Sequence, residues 1–297
     1  MELHEKYKIL KPLGDQKVRK FGSVFLVEEK ASGNRAVLKA VNKNAVKPIA
    51  VKQLRNESTF NFSNPLLPQV LDLTETETEL LLVTGFKRGV PINTFWKGLK
   101  RKERNLFLHQ FLKEFEKVYA ELRELNIAHC DIKPSNILIE RIDDKLNVSL
   151  IDFGLALRKD ELDQRDLVFP LGFAAPELLL NELDLIDERT DIFAMGILIW
   201  RLYTNELPLA HPNPSIFTNL QLTHPLPEHS SIPRDVFKVL AKMCGKHQFK
   251  LPPNKLAAEE RKHLLREGMN QRFNHFNEVI AEFEALKEKG SWWPFTT

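Results

Sequence analysis

The chain reads His129-Cys130-Asp131-Ile132-Lys133-Pro134-Ser135-Asn136, and sixteen residues after Asn136 it reads Asp152-Phe153-Gly154. An acid, a lysine, an amide and a second acid are thereby set on two neighbouring loops. Phosphoryl transfer draws on those four groups. A carboxylate accepts a hydroxyl proton, a cation offsets charge on the moving phosphoryl, and an amide and a second carboxylate hold divalent metal. Asp-Phe-Gly alone would mean little, since short tripeptides recur by chance. Two polar turns around a hairpin are the plain alternative, and the ordered combination outweighs it.

Further landmarks follow in order. Ala36-Val37-Leu38-Lys39 is an apolar alternating run ending in lysine, and Ala175-Pro176-Glu177 lies beyond the second loop. Asp191 and Gly196 then sit in an apolar stretch, and Arg272 closes the series. Together these residues resemble the eukaryotic-type protein kinase family over roughly residues 7 to 285. The resemblance implies an α+β, bilobal fold. Residues 1–86 would form a small, mainly antiparallel β lobe with one helix, and 87–297 a larger, mainly helical lobe. It also implies ATP and Mg2+ as cofactors and a protein substrate, with the γ-phosphate passing to Ser/Thr hydroxyls.

The same resemblance assigns residues. Asp131 orients or deprotonates the hydroxyl, Lys133 is a point charge at the γ-phosphate, and His129 braces the loop. Asn136 and Asp152 hold magnesium through hard oxygen donors. Lys39 meets the α- and β-phosphates and needs a carboxylate partner, for which Glu57 is the candidate on a helix expected over Val51 to Phe60. Thr84 guards the back of the nucleotide pocket, and Gly85, Phe86 and Lys87 connect the lobes where backbone groups would bond adenine. Gly14, Gly22 and Val24 flank the nucleotide-covering loop. Glu177 is expected to pair with Arg272.

Periodicity supplies elements for these groups. Tyr7 to Leu13 alternates as a strand with Tyr7, Ile9 and Pro12 on one side, and Val24 to Val27 and Arg35 to Val41 follow as a hairpin turned at Ser32-Gly33-Asn34. Leu80 to Val83 reads as a buried strand, and Ile137–Ile139 with Val148–Ile151 as a second hairpin turned at Asp143-Asp144. Phe107, Phe111, Phe115, Val118 and Leu122 recur with a helical period and mark a core stripe. Pro233 to Met243 and the charged run Ala257 to Arg266 are expected helices. The second lies in an insert, roughly 246–266, that is longer than the family needs and offers a partner surface.

Several positions depart from the family's pattern. DQKVRK, between Gly14 and Gly22, is longer than the family's loop and lacks its middle glycine; Lys17, Arg19 or Lys20 could supply charge there, or simply form a solvated tip. Cys130 replaces the arginine that pairs with a phosphorylated activation segment. From Leu150 through Arg189 there is no serine, threonine or tyrosine, so this segment has nothing to phosphorylate. Lys133 resembles the serine/threonine class, whereas Pro170 resembles tyrosine kinases, and Lys133 weighs more because it contacts the chemistry.

Composition bounds the remainder. A chain of 297 residues, 43% hydrophobic and 28% charged, is long enough for two cores and is not of disordered composition. A net charge of +3 gives no reason to expect nucleic acid or a membrane surface as a partner. Two cysteines make no disulfide framework, and no signal-like apolar segment opens the chain, so a cytoplasmic location is expected. The basic residues Lys97, Lys100, Arg101, Lys102 and Arg104 form a solvated face or a dock for acidic substrates. Trp292-Trp293-Pro294-Phe295 is expected either to pack on the chain or a partner, or to fray. Two rival functions stand: a pseudokinase scaffold that binds nucleotide with little or no transfer, and a small-molecule phosphotransferase.

Overall fold

The computed structural model of the chain describes residues 3–14, 22–159, 169–249 and 251–288. The chain divides into two units, Met1–Gly89 with Ser149–Ala156, and Val90–Val148 with Leu157–Thr297. The Asp-Phe-Gly segment thus belongs with the first unit.

In the first unit a short α1 (Leu3–Lys6) leads into an antiparallel sheet of β1 (Tyr7–Pro12), β2 (Ser23–Glu29), β3 (Arg35–Asn42), β4 (Val70–Glu75) and β5 (Glu79–Gly85), ordered β1-β2-β3-β5-β4. Helix α2 (Pro48–Ser58) packs on β3 and β5. Strand side chains alternate between faces. Ala36 and Leu38 accordingly join Tyr7, Val27 and Val83 in one apolar cluster, while Val41 joins Leu80, Leu82 and, from α2, Val51 and Leu54 in another. Lys39 shares Val41's face and therefore lies on the α2 side. The side expected to hold Tyr7, Ile9 and Pro12 is not uniformly covered: Tyr7 is buried, Ile9 is 48% exposed, Pro12 is exposed, and the register shifts between Ile9 and Lys11. The reason is that β1 is an edge strand, and Leu3 covers only its start.

The second unit begins with β6 (Val90–Pro91), α3 (Ile92–Gly98) and α4 (Arg101–Glu124). It continues through β7 (Ile127–Ala128), β8 (Ile137–Ile142), β9 (Lys145–Leu150) and β10 (Leu157–Arg158). After these come α5 (Pro176–Leu179), α6 (Glu188–Thr204), α7 (Pro214–Thr223), α8 (Arg234–Met243), α9 (Ala258–Met269) and α10 (Phe276–Glu288). The expected stripe on α4 is buried, and Phe276 of α10 meets Phe115 and Tyr119 at 5.0 and 4.7 Å between ring centroids. Helix α6 is buried from Thr190 to Trp200. At Gly196 a Cβ would fall 2.6 Å from the Cys244 sulfur, so only glycine lets the end of α8 approach so closely. The expected charged helix of the insert is α9, which Arg261 ties to Glu182 and Lys262 to Asp184 at 2.7 and 2.9 Å. The aromatic tail Trp292–Phe295, the loop residues Lys17, Arg19 and Lys20, and positions 160–168 of the activation segment lie outside the described residues. Among the described residues no helix is long and apolar enough to cross a membrane.

Candidate active site

The first unit assembles a buried charge cluster. Helix α2 starts with Pro48 in its first turn and buries Ala50, Val51, Leu54 and Glu57, a stripe at helical spacing. That stripe carries Glu57 to the sheet face of Lys39, whose Nζ lies 2.6 Å from both Glu57 carboxylate oxygens. Asp152 Oδ1 lies 3.0 Å from the same Nζ. Burial pushes the Lys39 ammonium toward neutrality, but the Asp152 and Glu57 carboxylates outweigh it and hold the pKa above its usual value. Lys39 stays charged. Asp152 has a positive φ of 71°, a strained conformation for a non-glycine residue that its surroundings must hold in place.

The residue that fixes this segment carries no motif of its own. Asn56 Nδ2 donates to the carbonyls of Gly154 and Ala156 at 3.1 and 2.8 Å, so α2 grips the chain just beyond Asp152. Phe153 is fully buried and packs on Phe62 and Phe60 at 4.6 and 5.9 Å between centroids. An asparagine in a helix has many bland roles, and its partners lie about a hundred residues away.

Residues directly opposite one another in an antiparallel pair project to the same face. Val24 pairs with Lys39, and Thr84 with Val37, so Val24, Thr84 and Lys39 line one face of the sheet. Gly22 has φ 104°, and a Cβ there would meet the Ala40 carbonyl oxygen at 2.5 Å; only glycine fits. Gly14, two residues beyond β1, has φ 72°. Gly85 closes β5, and its N–H donates to the Gln69 carbonyl at 2.9 Å. Lys87 donates to Gln69 Oε1 and the Pro65 carbonyl at 2.6 and 2.7 Å, while burial lowers its pKa to about 8. Phe86 is half-buried beside them.

The second unit holds the other loop. Asp131 is 5% exposed; Lys133 Nζ donates to its Oδ2 at 2.6 Å, and Asn136 Nδ2 donates to the same oxygen at 2.8 Å. The Asp131 backbone N–H donates to His129 Nδ1 at 3.2 Å, the bracing role expected of that histidine. Beneath the loop, Asp191 at the start of α6 accepts from the backbone N–H groups of His129 and Cys130 at 2.6 and 2.9 Å and from the Tyr119 hydroxyl at 2.7 Å. Burial raises its pKa to about 6. Cys130 has φ 60°, and burial and then the Asp191 carboxylate push its thiol pKa well up. Such a thiol is a poor nucleophile.

Glu177 and Arg272 are brought together as expected. The guanidinium makes two bonds to the carboxylate, 2.6 and 3.0 Å, with both side chains almost wholly buried. Thr190 donates its hydroxyl to Glu177 at 2.8 Å. Arg272 also donates to the Gly245 carbonyl at 2.7 Å and lies over the Phe193 ring.

Among the described residues, no group of three or more His, Cys, Asp or Glu side chains could hold a metal ion unaided. The donors that remain are an amide oxygen and a carboxylate. Asn136 gives its NH2 to Asp131 and keeps Oδ1 as acceptor, met by the Ser135 hydroxyl at 3.1 Å; the Asp152 side chain is 42% exposed. Hard oxygens of this kind fit a cation that retains water ligands.

Two ordered clusters of this composition invite comparison with known proteins, and a family model described as the protein kinase domain matches residues 7–272. The chain belongs to the protein kinase family. It is 29% identical over 182 residues to the probable serine/threonine-protein kinase pXi of Dictyostelium discoideum, covering 59% of this chain and 25% of that protein. It is 28% identical over 180 residues to a probable myosin light chain kinase of the same organism, covering 57% of this chain and 56% of the relative. Serine/threonine-protein kinase D2 of Rattus norvegicus is 29% identical over 170 residues, 54% of this chain and 19% of its own length. The chain thus spans less than two thirds of these curated relatives. The solved structure of the Cydia pomonella granulovirus kinase PK-1 superposes with a TM-score of 0.64 at 18% identity over 94% of both chains, a likeness of fold. Membership of this family implies ATP and a divalent metal in general.

Proposed function

We propose that this kinase-family chain is an active protein serine/threonine kinase that uses ATP and Mg2+ and acts on a protein substrate in the cytoplasm. The observation that carries the reading is the Asp131 carboxylate held by Lys133 and Asn136 on one loop. Asp131 orients the substrate hydroxyl and takes its proton, and Lys133 offsets charge at the transferred phosphoryl. Lys39, kept cationic beside Glu57, meets the α- and β-phosphates, with Val24 and Thr84 against the base and Gly85, Phe86 and Lys87 along its edge. Asn136 and Asp152 hold magnesium, which when bound neutralises phosphate charge. The serine/threonine class is supported by Lys133 and by the names of the relatives. The two cysteines, both buried and unpaired, are in keeping with a reducing compartment.

The test is transfer of labelled phosphate from ATP to generic protein substrates. Asp131→Asn is expected to lower turnover by ~10²-fold or more, the usual consequence of losing one positioned polar group. Wild-type protein that transfers no more than folded Asp152→Ala would overturn the reading in favour of a scaffold.

A further inference from the structure

The chemistry above leaves part of the second unit's charge without a use. Of the five basic residues near α3, the structure sorts out two: Lys100, Arg101 and Lys102 point to solvent, whereas Lys97 and Arg104 join Arg201 around a cavity of about 260 Å³. Trp96 and Tyr203 supply its aromatic wall. Every charged residue of the lining is a cation, and none of the three pairs with a carboxylate among the described residues. The Arg104 guanidinium lies 5.2 Å over the Trp96 ring, so its plane is used in stacking. Three cations around one cavity, with no carboxylate beside them among the described residues, describe a place for an anionic acceptor.

The cavity's walls are fixed to the catalytic machinery of the same unit. Helix α3, which carries Trp96 and Lys97, packs on the turn Pro134–Asn136. Arg201 lies 5.7 Å over the ring of Phe173, two residues before Ala175 at the end of the activation segment. The cavity and the Asp131 loop thus share one unit and the helix α3 that packs on that loop.

We propose that this cavity takes an aspartate or glutamate side chain of the protein substrate, so that the kinase selects acidic sequences around the accepting hydroxyl. The proposal rests on the kinase reading above. A carboxylate offers two oxygens to the guanidinium groups, and cations without a carboxylate partner among the described residues favour an acceptor that brings charge.

Two serine peptides that differ only in Glu against Gln beside the serine provide the test. The wild type is expected to favour the Glu peptide by roughly tenfold or more, mainly in KM, as befits one charge-assisted contact. Within each variant the ratio of the two peptides is the readout. Lys97→Glu, at an exposed position that the fold does not need, and Arg201→Gln are expected to bring the ratio toward one, and Arg201→Lys to keep part of it. Equal use by the wild type, or a preference that survives both charge-removing changes, overturns the proposal. Calorimetric binding of the same peptides to Asp131→Asn protein separates this from the kinase reading. Tighter binding of the Glu peptide without any transfer by the wild type upholds the acidic site and sinks only catalysis; equal binding sinks the site. Inorganic phosphate that binds while the peptides do not differ makes it a free-anion site and also overturns the proposal.

Discussion

Arg272 makes the densest set of bonds of any side chain described above, and its environment predicts its worth. Removing it leaves the Glu177 carboxylate buried at 0% exposure with, among the described residues, only the Thr190 hydroxyl as partner. Arg272→Ala is expected to cost ~3–5 kcal/mol, read as a large fall in urea midpoint or Tm, because an uncompensated buried charge remains. A melting temperature equal to wild type would refute the pairing's role. Asp191 makes a prediction in pH. Its pKa stands near 6 in the fold against a usual 3.8, so the folded state holds the proton more tightly than the unfolded chain. Its stabilising contribution is therefore fully present below about pH 4 and is lost as pH rises through about 6, on the order of 3 kcal/mol in all. The urea-midpoint difference between wild type and Asp191→Asn should shrink from about pH 4 to about pH 7; a constant difference across that window counts against the shift. Residues of this kind were unequally legible. Lys39, Asp131, Asn136 and Asp152 stand in ordered motifs, whereas Tyr119 read as one more core residue of α4, since periodicity says nothing of where a hydroxyl points. Asn56 was invisible for the same reason.

At the scale of elements, the activation segment carries the clearest expectation. Between Asp152 and Glu177 there is no hydroxyl-bearing residue, and the position of the family's phosphate-pairing arginine holds the buried Cys130. A phosphate brings about −1.5 to −2 charge and orders a loop only where a cation receives it. Phosphatase-treated enzyme and enzyme preincubated with MgATP should therefore work at the same rate, to within about twofold. A large gain mapped to a site in 152–177 would contradict this directly. Among helices, α4 and α6 were legible because apolar stripes or runs persist over several turns, whereas α2 was expected from the resemblance alone over Val51 to Phe60 and runs Pro48–Ser58. Strand β4 was not: it is an edge strand with Leu71 and Leu73 about half exposed, so its alternation carries no burial signal. Helix α7 had a usable sign in Asn213-Pro214, where the asparagine oxygen accepts from the Ser215 N–H at 2.9 Å and proline occupies the first turn. Short α3 lacks both a cap and a long stripe.

On the scale of the whole molecule, neither unit is a continuous piece of chain. Reading composition and motifs along the sequence leads to one cut near residue 86, because membership of a sheet or a core is a property of distant partners. The segment 149–156 crosses back to complete the first unit, where Phe153 fills the space against Phe60 and Phe62 and Asn56 holds the backbone beyond it. A fragment ending at Gly89 is expected to keep its strands but to melt without cooperativity and to bind a hydrophobic dye, in contrast to the full chain. A sharp thermal transition of that fragment would show that the segment is dispensable. There is a consequence in time. About ninety residues separate Phe62 from Phe153. At the usual pace of translation, roughly 5–20 residues per second, the sheet and α2 wait on the order of 5–20 s before their last piece is made. Through that interval two phenylalanines lack the ring they pack on and Lys39 has Glu57 but not Asp152. Until residue 153 is made, the newborn first unit shows those two rings to solvent, and slower elongation lengthens that exposure.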